Sequence, residues 1–184
     1  MNKKVLAFMF IAFLLLSGCG TKTITDETTE YDLPIIEQIN EEYIIHMVRN
    51  DGMHRSVHYP VKSQLVIDPK FYDTKEISRG DVVYYKTTIT EEEFNVARVV
   101  SLPGETVVVK NGQVYINDLK LETFYGKEYH ISGYVDGTDK ALSKDEIKIP
   151  ENHYFLAGDV WWRSFIFEPL SKDKIRGKVV GRIR

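Results

Sequence analysis

The stretch that most restricts how this chain can fold is Phe94–Leu121, FNVARVVSLPGETVVVKNGQVYINDLKL. Phe94, Val96, Arg98 and Val100 alternate with Asn95, Ala97, Val99 and Ser101, the period of two that suits a strand. Pro103-Gly104 then predicts a turn, and the β-branched Val107-Val108-Val109 a second strand. Asn111-Gly112 lies between Val109 and Val114, where a tight type I′ hairpin needs two residues at positive φ. Alternation resumes over Gln113–Asn117, so the stretch reads as strand, turn, strand, hairpin and strand.

The rest of the chain after residue 40 reads the same way. Tyr43–Val48 and Gln64–Asp68 are β-type runs, the second ended by Pro69. Ile77–Tyr85 is a turn followed by a strand, and Lys86–Glu93 a polar hairpin loop. Residues 122–145 are loop-rich, with Gly126, Gly133 and Gly137. Helical periods are few, which predicts an all-β domain over residues 41–184. The 184 residues suffice for one domain with a sizeable core. A hydrophobic share of 43% and a charged share of 28% fit a folded chain rather than a disordered one. With a net charge of −3 and no Lys/Arg cluster, nucleic acid is not an expected partner. The single cysteine, Cys19, excludes an internal disulfide framework and a multi-cysteine metal site.

The first eighteen residues read as a processing signal. Lys3 and Lys4 precede the apolar Val5–Leu16, which at about 1.5 Å per residue is too short to cross a hydrocarbon core about 30 Å thick. Leu16-Ser17-Gly18-Cys19 resembles the bacterial lipobox, in which the cysteine receives a diacylglycerol and the signal is cut just before it. An ordinary secretory signal and an uncleaved anchor are the alternatives. Two acyl chains meet the requirement for stable anchoring, which would hold the domain outside the cytoplasmic membrane. Residues 19–40 follow as the lipidated cysteine and its tether: Gly20–Tyr31 is polar, threonine- and acid-rich and without an apolar period. Leu33–Asn40 is an ambiguous lead-in, helical or extended.

Five ordered segments resemble one family. Arg79-Gly80-Asp81-Val82-Val83 is similar to the Arg-Gly-Asp-(Val/Ile)-Val motif of type I signal peptidases. Arg98–Val107 is similar to their Lys-Arg-(Val/Ile)-(Val/Ile)-Gly-Leu-Pro-Gly-Asp-Thr-Val run, and Tyr115-Ile116-Asn117 to the strand after it. Tyr154–Asp159 resembles their Tyr-Phe-x-x-Gly-Asp segment, and Ile175–Ile183 their closing Ile-x-Gly-Lys strand. The resemblance spans roughly residues 44–184. It implies antiparallel β regions with a shallow peptide groove and, in the enzymes, a Ser-Lys dyad. There a lysine of lowered pKa takes the proton of the attacking serine. It implies no cofactor and no metal.

The same resemblance locates what is missing. The residue before Arg98 is the family's lysine position, and here it is Ala97, which cannot accept a proton. The family's serine motif, Gly-x-Ser-Met-x-Pro-Thr-Leu, falls on Gly52–Tyr59. A register without gaps from Gly52 to Asp68 puts His54 at the serine, Arg55 at the methionine, Val57 at the proline and His58 at the threonine. A shifted register puts Ser56 at the nucleophile at the cost of an insertion and a deletion. If the segment is a strand, His54, Ser56 and His58 share a face, and a rebuilt Ser-His pair is the alternative. In the third catalytic segment Gly158, Asp159 and Ser164 remain, but the family's later Asp and Arg have become Ile166 and Glu168. Trp161, Trp162, Phe165 and Phe167 crowd it, either as core filling or as an aromatic contact surface. The sequence therefore points to a membrane-anchored, catalytically inactive homologue that binds an extended peptide or a protein partner. An active serine peptidase with a nucleophile near Ser56 is the alternative, and a purely structural envelope component is a third reading.

Overall fold

The structure is a computed structural model that describes residues 21–26, 29, 33–55, 59–87, 94–128, 142–161 and 168–184. Among the described residues the elements are nearly all strands. They are β1 (Thr23–Ile24), β2 (Ile44–Met47), β3 (Gln64–Asp68), β4 (Val82–Lys86), β5 (Phe94–Ser101) and β6 (Thr106–Lys110). After these come β7 (Gln113–Ile116), β8 (Leu119–Leu121), β9 (Lys144–Lys148), β10 (His153–Ala157), β11 (Leu170–Ser171) and β12 (Ile175–Arg182). One short helix, α1 (Phe71–Thr74), and two 3-10 turns complete them. The expected all-β class is what the chain adopts. Among the described residues no helix is long and apolar enough to cross a membrane.

The strands form two sheets. A five-stranded sheet has the order β1-β8-β7-β6-β9, and a seven-stranded sheet the order β11-β10-β5-β4-β12-β3-β2. The stretch Phe94–Leu121 links them: β5 belongs to the large sheet, and the chain turns at Pro103-Gly104 into β6, β7 and β8 of the small one. Gly104 takes φ +79, and Asn111 and Gly112 take φ 48 and 73, as the hairpin reading requires. A second turn of this kind joins β7 to β8 through Asn117 and Asp118, both at positive φ.

Alternation decides which face each strand buries. On β6 and β7, Val107, Val109, Val114 and Ile116 point inward and pack with Leu121, Tyr125, Phe155 and Trp161. On β5 every residue from Val96 to Ser101 is buried, because the large sheet is covered on both faces at its centre. Val96 joins a cluster with Val82, Tyr84, Leu65 and Met53, whereas Ala97 and Val99 join another with Val83, Tyr85 and Leu156. The two faces of β5 thus serve different cores.

Parts of the segment read as a flexible tether are attached to the domain, which corrects that expectation for residues 22–26 and 33–36. Thr23 and Ile24 pair in parallel with Lys120 and Leu121 of β8. The amides of Lys120 and Glu122 donate to the carbonyls of Lys22 (3.0 Å) and Ile24 (2.8 Å). Leu33 is buried in the core, and Pro34 and Ile36 exchange backbone bonds with Arg182, both at 2.9 Å. The lead-in is therefore extended. Single apolar side chains, Ile24 and Leu33, hold a segment too short to show a period, so composition alone reads it as loose.

Candidate functional site

Ala97 lies at the middle of β5, opposite Val83 of β4, and is only 2% exposed. Its cluster comprises Ile77, Val83, Tyr85, Val99, Tyr154 and Leu156. The groups that titrate in this cluster are phenols. Burial pushes Tyr85 up to about 12, and burial with the charge of Glu76 raises Tyr154 as well. Both phenols therefore stay protonated at neutral pH and cannot act as general bases there.

Arg98 is buried on the opposite face. Its Nε and Nη2 donate to Oδ1 and Oδ2 of Asp159 at 2.7 and 2.8 Å, a bidentate pair, and Nη1 donates to the carbonyl of Gly80 at 2.8 Å. The two side chains are 4% and 0% exposed. Burial works against the guanidinium charge, but the carboxylate of Asp159 more than offsets it and holds the Arg98 pKa above its ordinary value. The guanidinium also stands over the rings of Phe124 and Tyr125, at 4.9 and 5.2 Å from their centres.

The other retained motif residues brace one another. Arg79 donates to the carbonyl of Val100 (2.6 Å) and to Glu105 (2.5 Å). Glu105 in turn accepts from the Ser101 hydroxyl (3.0 Å) and the Leu102 amide (2.7 Å). Asp81 accepts from Lys178 at 2.8 Å, and from the Tyr72 hydroxyl and the Ser78 amide at 3.0 Å each. Every motif is thus tied to another: the Arg-Gly-Asp turn to the Leu-Pro-Gly-Glu turn and to β12, and β5 to the Gly158-Asp159 segment. Sequence reading singled out Arg98 and Asp159 but missed the bracing roles of Arg79, Asp81, Glu105 and Lys178. Their opposite charges were visible, but not which would meet.

His54 sits on a turn, not on a strand, and is exposed. Its amide donates to the Asp51 carbonyl (3.0 Å), and Asn50 caps the Gly52 amide (3.1 Å). This corrects the premise that His54, Ser56 and His58 share a strand face, at least through residue 55. The turn is anchored by Met53, buried with Val96 rather than with Ala97, and by the Gly52 carbonyl, which accepts from the Val160 amide at 2.8 Å. Arg55 leaves toward Phe124, donating to the Lys127 carbonyl at 2.7 Å. Trp161 is core, 1% exposed, and Glu168 is exposed. Cys19, Ser56, Val57, His58, Trp162, Ser164, Phe165, Ile166 and Phe167 lie outside the described residues. Among the described residues no group of His, Cys, Asp and Glu is placed to hold a metal ion.

The residues that brace this fold are those of the motifs noted in the sequence, and Ala97 before Arg98 is packed in an apolar cluster. The family model described as Signal peptidase, peptidase S26, matches residues 39–183, and the chain belongs to that family. It is similar to signal peptidase I U of Bacillus subtilis (strain 168), 34% identical over 97 residues, which are 52% of this chain and 50% of that protein. Signal peptidase I S of the same organism is 32% identical over 116 residues, 62% of this chain and 60% of the relative. Signal peptidase I V is 27% identical over 136 residues, 70% and 80% of the two. The chain thus spans about half the length of signal peptidase I U. A crystal structure of a signal peptidase I from Enterococcus faecalis V583 superposes with a TM-score of 0.45 at 22% identity, covering 56% of this chain and 97% of that one.

Proposed function

We propose that this chain is a lipid-anchored, non-catalytic signal peptidase homologue that binds an extended peptide or protein segment outside the cytoplasmic membrane. The observation that carries the reading is the environment of Ala97. A methyl group stands at the family's base position, among apolar side chains and two protonated phenols. A serine hydroxyl without a base is a weak nucleophile, and loss of a general base costs about 10²–10⁴ in rate. The rival, peptidase activity through Ser56, finds no residue other than tyrosine that titrates among the described residues of that cluster. A binding role is supported by β2, an edge strand of the large sheet with Ile44, Ile45 and Met47 exposed at 36, 39 and 45%. Such an edge suits strand addition.

A preprotein-processing assay with the full chain in detergent tests the catalytic half of this reading. The wild type is expected to leave the substrate intact, and His54→Ser/Ala97→Lys to gain at most a trace of cleavage. Cleavage by the wild type that vanishes in Ser56→Ala overturns it and establishes the Ser56 register. The anchor has its own check. Palmitate label is expected on the wild type and absent from Cys19→Ala, and equal labelling of the two refutes lipidation at Cys19.

A further inference from the structure

The edge of the small sheet holds an occupant. Strand β8 receives residues 22–26 of the chain itself, laid in parallel. Two kinds of contact read that segment. Ile24 packs on the apolar cluster that contains Leu121 and Tyr125. Two residues on, the Asp26 carboxylate accepts the hydroxyl of Tyr125, whose side chain is otherwise buried. Lys22, Thr23 and Thr25 are exposed, with the Thr25 hydroxyl donating to the Glu122 carbonyl at 3.3 Å. Asp26 also accepts from the amide and hydroxyl of Thr29, at 2.9 and 2.5 Å. The side chains of Asp26 and Thr29 lie against Gly80: a Cβ there would come within 2.5 Å of Thr29 Oγ1 and 2.6 Å of Asp26 Oδ2. Burial, then the bond to Asp26 and its charge, raise the Tyr125 pKa, so the phenol remains a donor.

We propose that the β8 edge with Tyr125 is a strand-addition site for an extended peptide of the pattern apolar-x-acidic, closed in cis by Ile24-Thr25-Asp26. Backbone bonds to Lys120 and Glu122 supply the affinity, and the Ile24 and Asp26 contacts the selectivity. The occupant is held by two backbone bonds, the Thr25 hydroxyl on the Glu122 carbonyl, one apolar side chain and one carboxylate. A contact of that size is retained because a short covalent link keeps the segment at an effective concentration of about millimolar. Leu121 and Tyr125 belong to a different apolar cluster from Ala97, although Tyr125 also lies under Arg98, and the proposal stands whether or not the chain is a peptidase.

Hydrogen exchange on the full chain tests it, with a synthetic peptide of residues 21–29 as the probe. In Ile24→Asp/Asp26→Ala the amides of Lys120 and Glu122 are expected to exchange at least about tenfold faster than in the wild type, as a lost hydrogen bond allows. The amides of Val109 and Val114 should keep their protection, which shows that the sheet is intact. Peptide at about millimolar concentration is expected to restore protection at Lys120 and Glu122 in the opened variant and to change nothing in the wild type. The same peptide carrying both substitutions should fail, and Tyr125→Phe added to the opened variant should weaken the restoration several-fold. Unchanged exchange in the opened variant overturns the cis closure. Failure of the wild-type peptide to restore protection overturns the site.

Discussion

Asp159→Ala is expected to lower stability by about 3–5 kcal/mol, because it strands a buried guanidinium without its counter-charge. The Arg98 side chain is 4% exposed and its partner is fully buried, so water cannot take over the lost bonds. The remaining acceptor, the Gly80 carbonyl, satisfies one nitrogen only. A loss of this size is a large share of the roughly 5–15 kcal/mol that holds a domain together. Urea unfolding followed by tryptophan fluorescence measures it directly. The paired replacement Arg98→Met/Asp159→Leu should cost much less than Asp159→Ala, since exchanging a whole buried pair for apolar side chains is often neutral. A double variant as unstable as the single one would show that Arg98 stabilises the fold through Phe124, Tyr125 and Gly80 rather than through Asp159.

Ala97→Lys is expected to be the other costly change, with a cost that depends on pH. The new ammonium would enter a pocket of apolar side chains that leaves Ala97 2% exposed. Burial disfavours the charged form and would lower the lysine pKa well below its unfolded value of about 10.4. Below the folded pKa the full penalty applies, on the order of 4–7 kcal/mol for a completely buried lysine. Between the folded and unfolded pKa values the unfolded chain binds more protons, so stability rises with pH. The deficit against wild type should therefore shrink as pH is raised from 7 toward 10. Denaturant midpoints of the two proteins across that range give the result. A deficit that does not change with pH would mean that the ammonium reaches water and that the pocket is not closed. On the proposed reading, in which residue 97 is the family's base position, the same lowered pKa is what a lysine there needs in order to accept a proton at neutral pH.

The β elements were legible because local rules act over a few residues. Alternation at Phe94–Ser101 marks β5, and Asn111-Gly112 marks a hairpin whose turn the backbone adopts at φ 48 and 73. Gln64–Asp68 marks β3 residue for residue. The register from Arg98 to Val107 admits no gap, and it is what places Ala97 at the family's lysine position in the proposed reading. Sequence by itself thus determined the all-β class of the domain, several of its strands and the alanine at residue 97. Tertiary structure alone decided what the surviving motif residues do. Arg79 meets Glu105 across 26 residues, Arg98 meets Asp159 across 61, and Lys178 meets Asp81 from the far end of the chain. It alone turned the polar segment after residue 20 into an edge strand, because the partners of Ile24 and Asp26 lie on β8 and at Tyr125, nearly a hundred residues away. The physical reason is range: backbone preference and side-chain period are set by neighbours in the chain, whereas a charge or a lone apolar side chain is committed only when folding brings it to its partner.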